Sequence, residues 1–453
     1  MHEAVIALIS EIVEIPGAKT IALAKVAGFQ VIVGKDTQVG DLGILFEGGL
    51  QLSHEMCYFN NLYHHPDLNL DKEQTGYIED NRKIQTKRFM KQQSEGLWLS
   101  INRLSWAGNI SNLTPGTLLK ELNGKPICDK YFTKATHIQH NDSNNKIERH
   151  RAKKHRFFPL HFETEQLRQH ICEIPVGAIL IISQKNHGTS GRTGLICCSK
   201  ADPESSIQFN WFQKLWNQAA NSFSFLPEFP QYYYEWISGT RRTEMDSSVT
   251  DNGWFSGKKF RAQIHNYFKD KIPFESGMIV YYEICGFCED GTSIMPPHKI
   301  EDKELKKQYG ERMLYTYGCN STAEVDMSIH NQYEDIVGKY RVLVYRISRS
   351  LADETEYELP WYEVVRLCNK WGLETVPVLE TIVYNGEKDA LIERCKFWAD
   401  QKDILGPHIR EGVCVRVEAS KTTTILKHKS FWFRVLEGLK TDQEDFVDPE
   451  DVS

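Results

Sequence analysis

No apolar run in this 453-residue sequence approaches the roughly 20 residues that a membrane-spanning helix needs. The first residues, Met1-His2-Glu3-Ala4-Val5-Ile6, carry no basic stretch and no cleavage-site pattern, so no signal peptide is expected. A disulfide framework is missing too. The 11 cysteines are scattered and odd in number, as in reduced intracellular proteins, and a cytoplasmic location is expected. No internal repeat is present. Nor is positive charge in excess: the formal net charge is -7, which does not by itself point to nucleic acid. What remains is ordinary globular composition, with 41% hydrophobic and 25% charged residues. The length suggests about two to three domains.

Charge is unevenly placed. Lys146 to Arg156 is a basic run suited to phosphates or to a solvated linker. The C-terminal stretch from Asp442 to Asp451 is acidic and reads as a solvated tail. Residues 1–115 are β-rich, with Val5–Ile9, Thr20–Val26, Phe29–Val33, Leu42–Phe46 and Glu95–Ser100 as short strands between glycine turns. This spacing suggests a small barrel or sandwich. Asn141–Asn145 is a polar linker within a connecting segment, 116–156. Residues 157–440 mix strands and helices, and 441–453 form the tail. Helices are expected over 209–220, 359–371 and 386–398, with Pro360 in the first turn and Gly372 as C-terminal cap of the second. Strands are expected over 278–285, 340–347, 412–417 and 424–429. The fold class is α+β.

Several residues carry chemistry. The apolar run Val176–Ile182 reads as a buried strand leading to Lys185-Asn186-His187-Gly188. A lysine on a rigid strand end suits a nucleophile when neighbouring cations lower its pKa. Gly188 lets the backbone pass close to a bound group. Lys427 and Lys429 are two apart on a strand, so they share a face and repel unless an anion such as a triphosphate sits there. Glu411 opens another strand. Glu283 lies inside an apolar strand, where an unpaired carboxylate is costly, so it should face a cavity, a sugar hydroxyl or a cation. Arg241, after Ser238-Gly239-Thr240, offers a guanidinium fork for a phosphate. Cys285 and Cys288 have redox-motif spacing, but no second pair exists, and they are taken as structural. His64-His65 read as surface loop, and Tyr232–Tyr234 with Trp236 as core.

In order, Lys185-Asn186-His187-Gly188, Gly239-Thr240-Arg241, Tyr282-Glu283-Ile284-Cys285-Gly286, Tyr345-Arg346-Ile347, Glu411-Gly412-Val413 and Leu426-Lys427-His428-Lys429-Ser430 resemble motifs I, Ia, III, IIIa, IV and V of covalent nucleotidyltransferases. His187 in the first motif resembles the RNA-ligase version. Val31–Leu42, Gly76–Ile84 and Ser94–Leu99 resemble the N-terminal OB-fold module of the fifth RNA-ligase family. The resemblance implies an OB-like barrel followed by an ATP-grasp-like adenylyltransferase domain. It implies an ATP-dependent RNA ligase with Lys185 as nucleophile, joining 3′-hydroxyl and 5′-phosphate RNA ends in repair or nick sealing. Lys427 and Lys429 would offset phosphate charge, Glu283 hold the ribose, Tyr345 stack on adenine, and Arg241 hold a phosphate. Mg2+ or Mn2+ would sit near Glu411, through water, with Glu283 as a further carboxylate. Arg82, Lys83, Lys87 and Arg88 are candidate RNA-phosphate contacts, and a monomer is expected. Gln184 stands where many relatives have glutamate. The segments near 205–235 and 300–335 are longer than in relatives. A capping guanylyltransferase or DNA ligase is the nearest alternative, but both usually carry an OB domain after motif V, and too few residues follow Lys429 for one. An inactive OB-containing RNA-binding protein is disfavoured by the intact lysines and carboxylates.

Overall fold

The computed structural model describes residues 3–131, 155, 157–161, 164–199, 215–216, 232–241, 243–245, 260–288, 290–319, 339–350, 356–418 and 424–441. The linker at 141–145, nearly all of the basic run, the acidic tail and most of the expected helix at 209–220 lie outside them. The architecture is α+β. Among the described residues, no helix is long and apolar enough to cross a membrane.

The N-terminal part is one antiparallel sheet, ordered Phe29–Gly34, Ile21–Val26, Ala4–Glu14, Leu42–Glu47, Gly96–Ser100. The long strand Ala4–Glu14 serves two neighbours. Its first half pairs with Leu42–Glu47, its second with Ile21–Val26, and a bulge near Ser10 bends it between them. The curled sheet nearly closes where the Glu95 amide donates to the Gln30 carbonyl at 2.8 Å. Strict alternation in Phe29–Gly34 sends Phe29, Val31 and Val33 into the barrel core with Trp98. Ala27 and Gly28 form a two-residue hairpin loop with φ of 47° and 77°, a handedness that matches strand twist. Strand pairing with this unit continues past residue 115. Leu118–Leu119 joins Ala4–Glu14, and Cys128–Lys130 joins Leu50–Leu52.

The rest of the chain packs two sheets against helices. A five-stranded sheet runs Glu165–Gln166, Thr424–Lys429, Gly412–Glu418, Ile179–Lys185, Val378–Val383. A seven-stranded sheet is centred on Thr189–Ser199, Met278–Phe287 and Lys339–Ser350. Helices Phe260–Lys271 and Trp361–Trp371 bury apolar faces in the main core. Trp361–Trp371 starts after Pro360 and ends at Gly372, φ 69°, whose amide satisfies the Cys368 and Asn369 carbonyls. Helix Lys388–Ala399 covers the opposite face of the five-stranded sheet. The expected strand at 176–182 is displaced to Ile179–Lys185, because Pro175 and Gly177, φ 88°, make a turn ahead of it.

The two parts meet over a buried charge cluster. Glu95 accepts from Arg168 at 3.0 Å, from Arg434, and from the Gln30 amide at 2.9 Å. Arg434 also reaches Glu47 at 3.4 Å. The Arg168 guanidinium lies 3.9 Å from the Phe29 ring centroid. These charges hold the Glu95 carboxyl far below the usual range despite its burial.

Candidate active site

Lys185 is the last residue of its strand. Strand register places it beside Gly412, and Gly412 beside Lys429. One pleat away, Ser183 lies beside Cys414, and Cys414 beside Lys427. Alternation therefore turns Lys185, Lys427 and Lys429 to one face, and all three line one cavity. A side chain at Gly412 would strike backbone, since its Cβ would fall 2.2 Å from the His428 carbonyl oxygen. That close approach draws the strands together beneath the lysines.

The facing wall comes from the seven-stranded sheet. Glu283 and Tyr345 line the cavity from its central strands, and Arg241 from the turn after Tyr232–Gly239. Glu411 completes the group. Its carboxylate lies 2.8 Å from the Lys185 amine and 3.8 Å from that of Lys429. Ser190 donates to Glu283 at 3.0 Å, the cross-strand neighbour that register dictates.

Lys427 is pushed down to about 8, first by burial and then by the charges of Lys429, Lys185 and Arg241. Lys429 moves the other way. Burial opposes its charge, but Glu437 and Glu411 raise its pKa. Glu437, on helix Phe431–Thr441, contacts the Lys429 amine at 2.7 and 2.9 Å. Although Glu437 is partly buried, Lys429 holds its carboxyl down at about 2. Two lysines on one strand thus differ in kind: one carboxylate-paired, the other weakly held in its proton.

Glu437 was not legible in the sequence, because only the fold brings a helix after motif V back onto the strand. His161 was also missed. Its Nε2 lies 2.7 Å from the Tyr345 hydroxyl on the cavity wall. His187 packs in an aromatic nest, stacked on His298 with ring centroids 5.3 Å apart and edge-on to Tyr315 and Phe433. Its amide is held by the Tyr317 hydroxyl. The described part of the segment near 300–335 supplies Tyr315 and Tyr317.

Gly188 is not among the residues that line the cavity. Its lack of a Cβ admits the adjacent strand, since a Cβ there would lie 2.5 Å from the Ile284 carbonyl and 2.9 Å from Glu283 Cγ. Lys83 and Arg88 are not directed at a ligand surface. Lys83 is buried and donates to the Gly438 carbonyl at 2.7 Å. Arg88 pairs with Asp302 at 3.3 Å and Glu304 at 2.7 Å. Both therefore tie the N-terminal part to the rest. Lys87 is exposed and Arg82 half-buried. Gln184 is buried and borders the same cavity as Lys185. It donates to Asn186 at 2.7 Å and Asp403 at 3.0 Å, and accepts from Ile404 and Arg410. A neutral amide serves both demands. Cys285 and Cys288 are buried thiols in the main core.

A strand-end lysine, two further lysines from one strand and two carboxylates thus surround one cavity. The RNA ligase family model matches residues 180–436, and the chain belongs to the RNA ligase family. It is an RNA ligase. Solved structures agree in fold. An RNA ligase of Naegleria gruberi with ATP and Mn superposes with a TM-score of 0.54 at 15% identity, covering 95% of this chain and 98% of that one. A second structure of the ligase, a mutant with AMP and Mn, gives 0.55 at 16% identity, covering 96% and 98%. A third, with PPi, gives 0.53 at 15% identity, covering 96% and 98%. No curated protein matches the chain in sequence.

Proposed function

We propose that the protein is an ATP-dependent ligase that joins a 3′-hydroxyl to a 5′-phosphate on RNA, in repair or nick sealing, through a lysyl-AMP on Lys185. The observation that carries this is the Lys185 amine, 2.8 Å from Glu411 in a cavity also lined by Lys427, Lys429 and Arg241. The Naegleria gruberi structures with ATP and Mn, and with PPi, support ATP as the nucleotide.

In the first step the Lys185 amine attacks the α-phosphorus of ATP. A P–N bond forms, the bond to the bridging oxygen breaks, and pyrophosphate leaves with the electron pair. Glu411 orients the amine and is an acceptor within reach of its proton. Lys427, Lys429 and Arg241 offset the phosphate charge in a poorly solvated site, where fixed charges act strongly. Glu283 accepts from the ribose and Tyr345 packs on the base. In the second step a 5′-phosphate oxygen of RNA attacks the AMP phosphorus, a P–O bond forms, the P–N bond breaks, and Lys185 leaves as the amine with a proton. In the third, a 3′-hydroxyl attacks the RNA 5′-phosphorus, losing its proton as the new P–O bond forms, and AMP leaves with the electron pair of the bond that joined it. Glu411 and Glu283 present hard carboxylate oxygens to the same cavity, a donor set that fits Mg2+ or Mn2+, with Glu411 acting through water. Such an ion adds positive charge beside the phosphates when bound.

Residues 1–115 then serve as the OB-fold unit that grips RNA, with Lys87 and Arg82 as phosphate contacts, and 157–440 as the adenylyltransferase domain. Segment 116–156 first adds strands to the N-terminal unit and then connects the two, and 441–453 is an acidic tail. This order is the reason for placing the chain in the fifth RNA-ligase family. The free thiols support an intracellular setting, and a monomer suffices, since one chain holds every proposed role. The test is sealing of end-labelled RNA. Product should form with 3′-hydroxyl and 5′-phosphate ends and ATP. Sealing of 5′-hydroxyl ends, or none with any end pair, would reject the end chemistry.

A further inference from the structure

We propose a second metal site, for zinc, away from the active-site cavity: His155, Cys198 and Glu235 bind one Zn2+ that pins the start of the catalytic part to the strand leading to Arg241. One ligand atom from each of these residues lies within 4.8 Å of the others. Strand geometry explains two of them. Ile196 pairs with Glu235 across the antiparallel strands Thr189–Ser199 and Tyr232–Gly239. Cys198, two residues on, shares the face of Ile196, so thiol and carboxylate are diagonal neighbours on one side of the sheet. The third donor is distant in sequence. His155, next to last in the basic run, places a ring nitrogen beside the other two.

The surroundings suit a cation of this kind. Cys198 is fully buried, at the edge of an apolar cluster with Phe158, Ile196 and Ile237. The second ring position of His155 is already supported. Its Nδ1 lies 2.8 Å from Glu244 Oε2, and its backbone amide donates to the same carboxylate at 3.1 Å. Metal-bound histidines characteristically use the nitrogen not on the metal in this way, which fixes tautomer and ring orientation. Glu244 is itself held in the sheet, paired with Gly239. Thiolate, imidazole and carboxylate form a mixed set that selects zinc over the hard cations suited to Glu411 and Glu283. One thiolate and one carboxylate also balance its charge. Glu235, half-buried, leaves a side for water as fourth ligand.

The experiment uses the full chain, purified without chelator and equilibrated with zinc, then dialysed. Elemental analysis should find one zinc per chain that excess Mg2+ does not displace. Cys198→Ser and His155→Gln should each lose it, whereas Cys197→Ser, on the opposite face of the same strand, should keep it. Because a variant can fail to fold, the wild-type protein is also loaded with Co2+, which should give the intense thiolate-to-cobalt absorption and tetrahedral visible bands. Wild-type protein that retains no zinc and shows no thiolate band, or a Cys198→Ser protein with unchanged zinc content, would overturn the proposal.

Discussion

Removing the charge of Glu95 tests how the N-terminal barrel is fastened to the strand that carries Lys427 and Lys429. Glu95→Gln keeps the shape and an acceptor for the Gln30 amide, but leaves Arg168 and Arg434 without their common anion. The side chains of Glu95, Arg168 and Arg434 are 6%, 4% and 8% exposed, so solvent screens the loss poorly. Removing one partner from a buried ion pair costs about 3–5 kcal/mol. With a urea dependence of ~2–3 kcal/mol per molar, the midpoint should fall by about 1–2 M. The assay is urea unfolding followed by tryptophan fluorescence, read as the shift of the first transition, since a chain of several units need not unfold in one step. The sign with pH also follows. The Glu95 pKa is depressed on folding, so its contribution is present above the unfolded carboxylate value and is lost as pH falls through the lower folded one. The gap between wild type and variant should therefore persist down to about pH 4 and close only in stronger acid. A midpoint unchanged at neutral pH would refute the reasoning. His428 links this cluster to the site. It is buried on the far face of the lysine strand, and its pKa is lowered by burial and then by Arg168 and Arg434.

Other outcomes are as definite. Lys427, lowered to about 8, loses its charge as pH rises through that value, so kcat/KM for ATP in adenylylation should decline there. Lys427→Arg should move that decline to higher pH; an identical profile would remove Lys427 from phosphate binding. Gln184→Glu would set a carboxylate against Asp403 and discard a donor, at a cost of about 1–3 kcal/mol. The thermal midpoint should fall, and an unchanged one would show that the 403–410 loop adapts. Glu437→Gln should weaken the hold on Lys429 by about 1 kcal/mol, a modest figure because 37% of the Glu437 side chain is exposed and solvent screens the pair. A several-fold lower adenylylation rate is expected, and a wild-type rate would show that Glu437 does not position Lys429.

Much of this was legible in the sequence because strands advertise themselves. Thr424–Lys429 and Phe29–Gly34 follow period-two alternation, and Gly372 marks a helix end by its left-handed φ. Shared faces were legible too, since Lys427 and Lys429 need only a strand between them. What was not legible depends on register and on distant pairing. Nothing local says that Lys185 and Lys429 flank Gly412, or that Glu437 folds back on Lys429. The close approach of Gly188 to the neighbouring strand was hidden for the same reason. Lys83 and Arg88 look like free surface charge until their partners at Gly438, Asp302 and Glu304 are known.

The central claim is that Lys185 is the residue that accepts the nucleotide. The direct measurement is intact-protein mass spectrometry after incubation with ATP and Mg2+ or Mn2+, with the modified peptide mapped. The account predicts one added AMP on Lys185, pyrophosphate released in equal amount, and no adduct in a folded Lys185→Ala protein. An adduct on another residue, or normal labelling of Lys185→Ala, would contradict it.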